Sequence, residues 1–277
     1  MRFDLACLVG GVVVLLGAAG ASAQIPGSLE NFGGPVAPMF EGWYDNGDGT
    51  VTVLVGFFNP NQEEVIDIPV GELNRWEPGD DDRGQPTHFP PGRGWGVMTL
   101  QVPRDFSGEL RWALSANDQP TSIPVNLDAP YFIEPLRDAA DGNEPPTIRF
   151  AENGGGFTGP PIGIAWEMTA TVGVPLELSV WTSDVKPEHE EPGGGGGRRR
   201  ATLTLNWYLH RGPADVEIGE TSQRFTDSAD QNPRTTVTFS SPGEYVLRAE
   251  ALDETGAGGG GFQCCWTSAL VKVTVAP

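Results

Sequence analysis

The chain has 277 residues, and its 37 acidic against 17 basic side chains give a formal charge of −20. That balance repels a phosphate backbone and excludes DNA or RNA as the natural partner. Glycine (38) and proline (25) are abundant, yet 38% hydrophobic and 9% aromatic residues still suffice for buried cores, so the composition predicts many short strands joined by tight turns and no long periodic helix.

At the N-terminus Arg2 precedes an uncharged apolar run, Leu5 to Ala18, and the small residues Ala21-Ser22-Ala23. Residues 1–23 therefore read as a signal peptide cleaved before Gln24. Cys7 sits before the apolar run rather than after it, so lipid attachment there is not expected. No later stretch approaches the roughly 20 apolar residues of a spanning helix. The mature chain is expected to be secreted or periplasmic, without a membrane span.

A flexible Gly/Pro-rich segment, 24–39, leads into a first β-sandwich domain, 40–136. Asp45 to Gly49 predicts a turn, and Val51 to Phe58, apolar on both faces, a central strand. The inward sets that follow are Ile66/Ile68/Val70, Met98/Leu100/Val102 and Leu110/Trp112/Leu114. RDAADGNEPP (137–146) has no apolar period and reads as a linker. The second domain, 147–277, has inward sets at Leu176/Leu178/Val180, Leu203/Leu205/Trp207 and Val271/Val273/Val275, and carries a flexible Gly/Arg insert at 186–200. In PGEYVLRAEALD (Pro242 to Asp253), Tyr245, Leu247, Ala249 and Ala251 point inward while Arg248 and Glu250 point to solvent.

This segment, the Pro-Gly-x-Tyr turn that opens it, and Trp207 five residues before Gly212-Pro213 resemble a polycystic-kidney-disease-like member of the immunoglobulin-like superfamily. The resemblance implies a spacer or binding module, and the fold expected for the whole chain is all-β, two immunoglobulin-like β-sandwiches. Through GFFNPN, DIPVG and GQPTHF (Gly56 to Asn61, Asp67 to Gly71, Gly84 to Phe89) the first domain is similar to uncharacterised exported bacterial proteins, a resemblance that implies no activity.

Catalytic signatures are absent from the sequence. The histidines, His88, His189 and His210, form no His-Glu-x-x-His pair, and there is no Gly-x-Ser-x-Gly elbow or phosphate-binding glycine loop. No catalytic residue, metal site or cofactor is expected. Asp80-Asp81-Asp82 reads as solvated charge, and in Asp45 to Gly49 glycines replace the alternate oxygens that a calcium loop needs. Cys264-Cys265 leaves three readings open: a vicinal disulfide, pairing between chains, or buried thiols. Trp43, Tyr44, Trp76 and Trp95 lie in or beside loops, where aromatic rings can hold sugars. The long irregular stretch from Trp76 to Trp95 supplies the candidate ligand-binding set Trp76, His88 and Trp95. The sequence thus points to an exported, non-catalytic binding, adhesion or structural module for an extracellular or periplasmic protein or glycan. The alternatives are a carbohydrate-binding module, or a hydrolase using the His88 loop with Asp80 to Asp82.

Overall fold

The computed structural model describes residues 31–138, 142–185, 202–257 and 264–277. The expected signal peptide and the Gly/Arg insert lie outside the described residues. Among those described, no helix is long and apolar enough to cross a membrane.

The architecture is all-β, and its apolar side chains gather in two separate cores, one drawn from residues 36–127 and one from 148–275. In the first unit the strands are β1 (Ala37–Asp45), β2 (Thr50–Asn59), β3 (Ile66–Asp67), β4 (Asn74–Glu77), β5 (His88–Phe89), β6 (Gly92–Pro103), β7 (Arg111–Ala116) and β8 (Gln119–Pro124). They form sheets ordered β1-β2-β6 and β4-β7-β8, with β3-β5 as a short ribbon. β2 is central, as its two apolar faces require, and Val51 to Phe57 is buried throughout. Asp45 and Asp48 spend their carboxylates on the β1-β2 turn, accepting from the backbone N–H of Gly47 and of Thr50.

The stretch from Trp76 to Trp95 is not one irregular loop. It contains the end of β4, all of β5 and the start of β6, and Asn74 pins it: its buried amide donates to the carbonyls of Ile68 and Pro86 and its Oδ1 accepts from Trp112 Nε1. Each of those polar atoms would be costly to leave unpaired in the core.

The second unit contains β9 (Thr147–Arg149), β10 (Ile164–Thr171), β11 (Leu176–Ser179), β12 (Trp181–Ser183), β13 (Leu203–Arg211), β14 (Val216–Ile218), β15 (Ser222–Phe225), β16 (Arg234–Phe239), β17 (Gly243–Asp253) and β18 (Trp266–Ala276). A five-stranded sheet, β10-β18-β17-β13-β15, packs on β11-β16-β14, and β10 runs parallel to β18. Trp207 on β13 is buried between the sheets. Tyr245, at the start of β17, donates its hydroxyl to the Ser241 carbonyl at 3.0 Å, the tyrosine corner of an immunoglobulin-like sandwich. The Tyr245 ring occupies the space beside Gly212, where a Cβ would overlap it.

One expectation is overturned here. Arg248 and Glu250 alternate outward from the core of their own unit as predicted, yet both are buried, because the first unit covers that face of β17. The cysteine alternatives also resolve: Cys264 and Cys265 are joined to each other, buried beside the Asn143 carbonyl.

Candidate functional site

The site lies at the boundary between the units, and irregularities of two strands build its first wall. Register slips on both neighbours of β2: between Phe40 and Gly42 on β1, and on β6, where Val55 pairs with Met98 but Phe57 pairs with Gly94. Such bulges re-aim side chains. Here they bring Glu41 beneath the Arg93-Gly94-Trp95-Gly96 arc. Glu41 Oε1 accepts from Arg93 Nη2 at 2.5 Å and Oε2 from the Gly96 N–H at 2.7 Å. Burial pushes the Glu41 carboxyl up from 4.5 to about 7, against the opposing pull of Arg93, the Gly96 N–H and Arg248. The Arg93 guanidinium stacks over the Trp95 ring at 4.2 Å.

The second wall is the covered face of β13 and β17. Arg248 Nη1 donates to Glu250 Oε1 at 2.6 Å and to Ser268 Oγ at 3.1 Å. Glu250 Oε2 accepts from the Tyr208 hydroxyl at 3.0 Å, and the Arg248 guanidinium lies over the Tyr208 ring at 4.4 Å. Burial, with Glu250 adding to it, raises the Tyr208 phenol well above the ordinary tyrosine range.

Direct bonds hold the walls together. Thr87 N–H donates to the His210 carbonyl at 3.0 Å, and His210 Nε2 lies 3.0 Å from the Gly84 carbonyl, which can only accept. Burial lowers the His210 pKa to about 3, leaving a neutral imidazole that donates from Nε2. Arg211 makes a two-pronged pair with Asp82, at 2.6 and 3.2 Å, and donates Nε–H to the Gln85 carbonyl at 2.5 Å. Hydrogen bonding from Arg211 is the largest effect lowering the Asp82 pKa. Asp82 is therefore a structural partner across the boundary rather than free surface charge, whereas Asp80 and Asp81 are exposed as expected.

Between the walls is a cavity of about 370 Å³ whose lining includes His88, Pro90, Trp95, Tyr208, Arg248 and Glu250. Two of the three sequence-predicted residues, His88 and Trp95, thus meet in one cleft. Trp95 is half-buried; His88 Nδ1 is 2.8 Å from Asp67 Oδ1. Trp76 does not join them. It is fully buried on β4, stacked on Trp112 at 5.9 Å, and belongs to the core. Trp43 and Tyr44 are buried as well, Trp43 donating Nε1–H to the Asp128 carbonyl. The flat aromatic platform suggested by the sequence therefore reduces to Trp95. Sequence reading missed Tyr208, Arg248 and Glu250, since an alternating strand shows which face is polar but not what covers it.

The cleft can hold a small polar molecule against aromatic surface. Each of its guanidinium groups has a carboxyl partner, Glu41 for Arg93 and Glu250 for Arg248. Among the described residues lining it there is no serine, threonine or cysteine side chain.

No protein-family model matches the chain, and no curated protein does. Solved structures similar to it include the D0-D1 domain of intimin, with 10% identity over 87% of this chain and 98% of that one, at a TM-score of 0.25. Another is a pair of titin Ig tandem domains, with 12% identity over 87% and 98%, at 0.22. A third is the sialic acid binding region of a Streptococcus sanguinis adhesin, with 9% identity over 87% and 78%, at 0.22. At such scores the fold and site rest on the registers and packing described above.

Proposed function

We propose that the protein is an exported, non-catalytic binding module, built of two domains (40–136 and 147–277, joined by 137–146), whose boundary cleft takes a neutral glycan. The observation that carries this reading is the half-buried Trp95 sharing a cleft with Tyr208, beside arginine and glutamate side chains that are bonded to one another. A ring offers apolar surface to the C–H face of a sugar, and buried polar groups with spare hydrogen-bonding capacity fix its hydroxyls. The net charge of −20 disfavours a polyanion, and the signal-peptide pattern supports action outside the cytoplasm. The hydrolase alternative draws support from the His88–Asp67 pair, but among the described residues the lining offers no serine, threonine or cysteine nucleophile beside it.

The test is a glycan array probed with the purified chain, its Trp95→Ala variant, and Trp166→Ala, which removes an exposed ring elsewhere. Binding to neutral glycans should fall at least about tenfold in Trp95→Ala and persist in Trp166→Ala. Equal binding by all three proteins removes the cleft from consideration.

A further inference from the structure

The boundary also assembles three donor groups that neither unit holds alone. Asp67 ends β3, His88 opens β5 directly opposite it, and Asp215 belongs to the turn leading into β14 in the second unit. Asp67 Oδ1 is 2.8 Å and Asp215 Oδ1 3.7 Å from His88 Nδ1, and one donor atom from each residue lies within 4.8 Å of the other two. Among the described residues, no lysine or arginine pairs with either carboxylate. Arg211, which shares a surface depression with Asp67, is held by Asp82 and the Gln85 carbonyl.

We propose that Asp67, His88 and Asp215 bind a divalent cation of the zinc class that ties the two units together. Tetrahedral zinc with bonds of about 2.0 to 2.1 Å places neighbouring donors roughly 3.3 Å apart. The two distances from His88 Nδ1 lie to either side of that value, within about 0.5 Å, and rotation of two exposed carboxylates closes the difference. In the metal-free pair His88 Nδ1–H donates to Asp67 Oδ1; the cation takes the Nδ1 lone pair, the displaced proton passes through solvent to Nε2, and two metal–oxygen bonds replace the hydrogen bond to Asp67. One nitrogen and two carboxylates suit zinc and its first-row relatives. Calcium instead takes six to eight oxygens. Three protein donors leave a fourth position for water or a ligand oxygen.

The experiment is calorimetric titration of the chelator-stripped full chain with Zn²⁺, and with Ca²⁺ in parallel, for wild type, His88→Gln, Asp215→Asn and the control Asp80→Asn. One equivalent of Zn²⁺ should bind at micromolar affinity, at least about tenfold more weakly in His88→Gln and Asp215→Asn, and unchanged in Asp80→Asn. At equal concentration Zn²⁺ should raise the Tm of wild type by more than that of Asp215→Asn. The Asp215 side chain is 78% exposed, so this variant keeps the fold, as circular dichroism can verify. Absence of saturable Zn²⁺ binding below about 1 mM, undiminished affinity in Asp215→Asn, or Ca²⁺ binding as tight as Zn²⁺ would each overturn the assignment.

Discussion

The six-membered ring of Trp266, at the start of β18, lies against the backbone of Gly96, so that a Cβ at position 96 would fall among its carbons. Gly96 also has a φ of +49°. Gly96→Ala therefore combines backbone strain with overpacking and should cost about 3 kcal/mol or more. Gly47, with φ +77° and open space around it, provides the control: Gly47→Ala should cost about 1 kcal/mol. Urea midpoints compare the two, and equal shifts would mean that the Trp266 contact contributes nothing.

The covered face of β17 predicts a large effect where the alternating pattern alone predicts a small one. Arg248→Ala leaves Glu250 buried without its cation and should cost about 3 to 5 kcal/mol. Trp207→Ala and Tyr245→Ala, which empty the second core, should each cost on the order of 3 to 5 kcal/mol. A loss below about 1 kcal/mol for Arg248→Ala, typical of exposed sites, would mean that the face is solvated.

Arg211 and Asp82 are coupled but partly solvated, so the pair should be worth little by itself. Asp82→Asn should cost under about 1 kcal/mol. Arg211→Ala should cost more, about 1 to 3 kcal/mol, because it also strips the donor from the Gln85 carbonyl. A double-mutant cycle on thermal or urea unfolding separates the two contributions, and identical single-variant costs would show that the Gln85 bond is idle.

Two boundary groups impose opposite pH slopes. The Glu41 pKa is raised from 4.5 to about 7, so its contribution is full below 4.5 and is lost as pH rises through 7. The His210 pKa is lowered from 6.5 to about 3, so its contribution is full above 6.5 and is lost as pH falls towards 3. Between pH 4.5 and 6.5 the two cancel, at about 1.4 kcal/mol per pH unit each. Glu41→Gln should unmask the histidine: over that window the variant's stability should rise with pH by roughly 2 kcal/mol relative to wild type. Parallel profiles from urea unfolding at stepped pH would contradict this assignment.

Much of the fold was legible in the sequence because period-2 patterning reports directly on burial. β2 reads as central from its two apolar faces, and Trp112, Trp207 and Tyr245 fall where the inward sets place them. Trp76 was misjudged because its strand is only four residues long, too short for alternation to declare itself beside a glycine- and aspartate-rich turn. The boundary was illegible for a different reason. Its bonds join residues as far apart as 126 and 129 positions, and β17 looks identical in sequence whether water or another unit lies on its polar face. His88 and Trp95 were found by their unusual company in a glycine- and proline-rich segment, while their partners Tyr208 and Glu250 carried no local signal.

For the glycan binding proposed above, the cross-links from Thr87 to His210 and from Arg211 to Gln85 have a consequence. They tie the walls of the cleft by backbone carbonyls on both sides, so the opening is set when the chain folds rather than when a guest arrives. Binding then spends little of its free energy on closing a hinge. Selectivity comes to depend on whether a molecule fits a rigid slot, which favours discrimination by shape and penalises bulky relatives of the preferred guest.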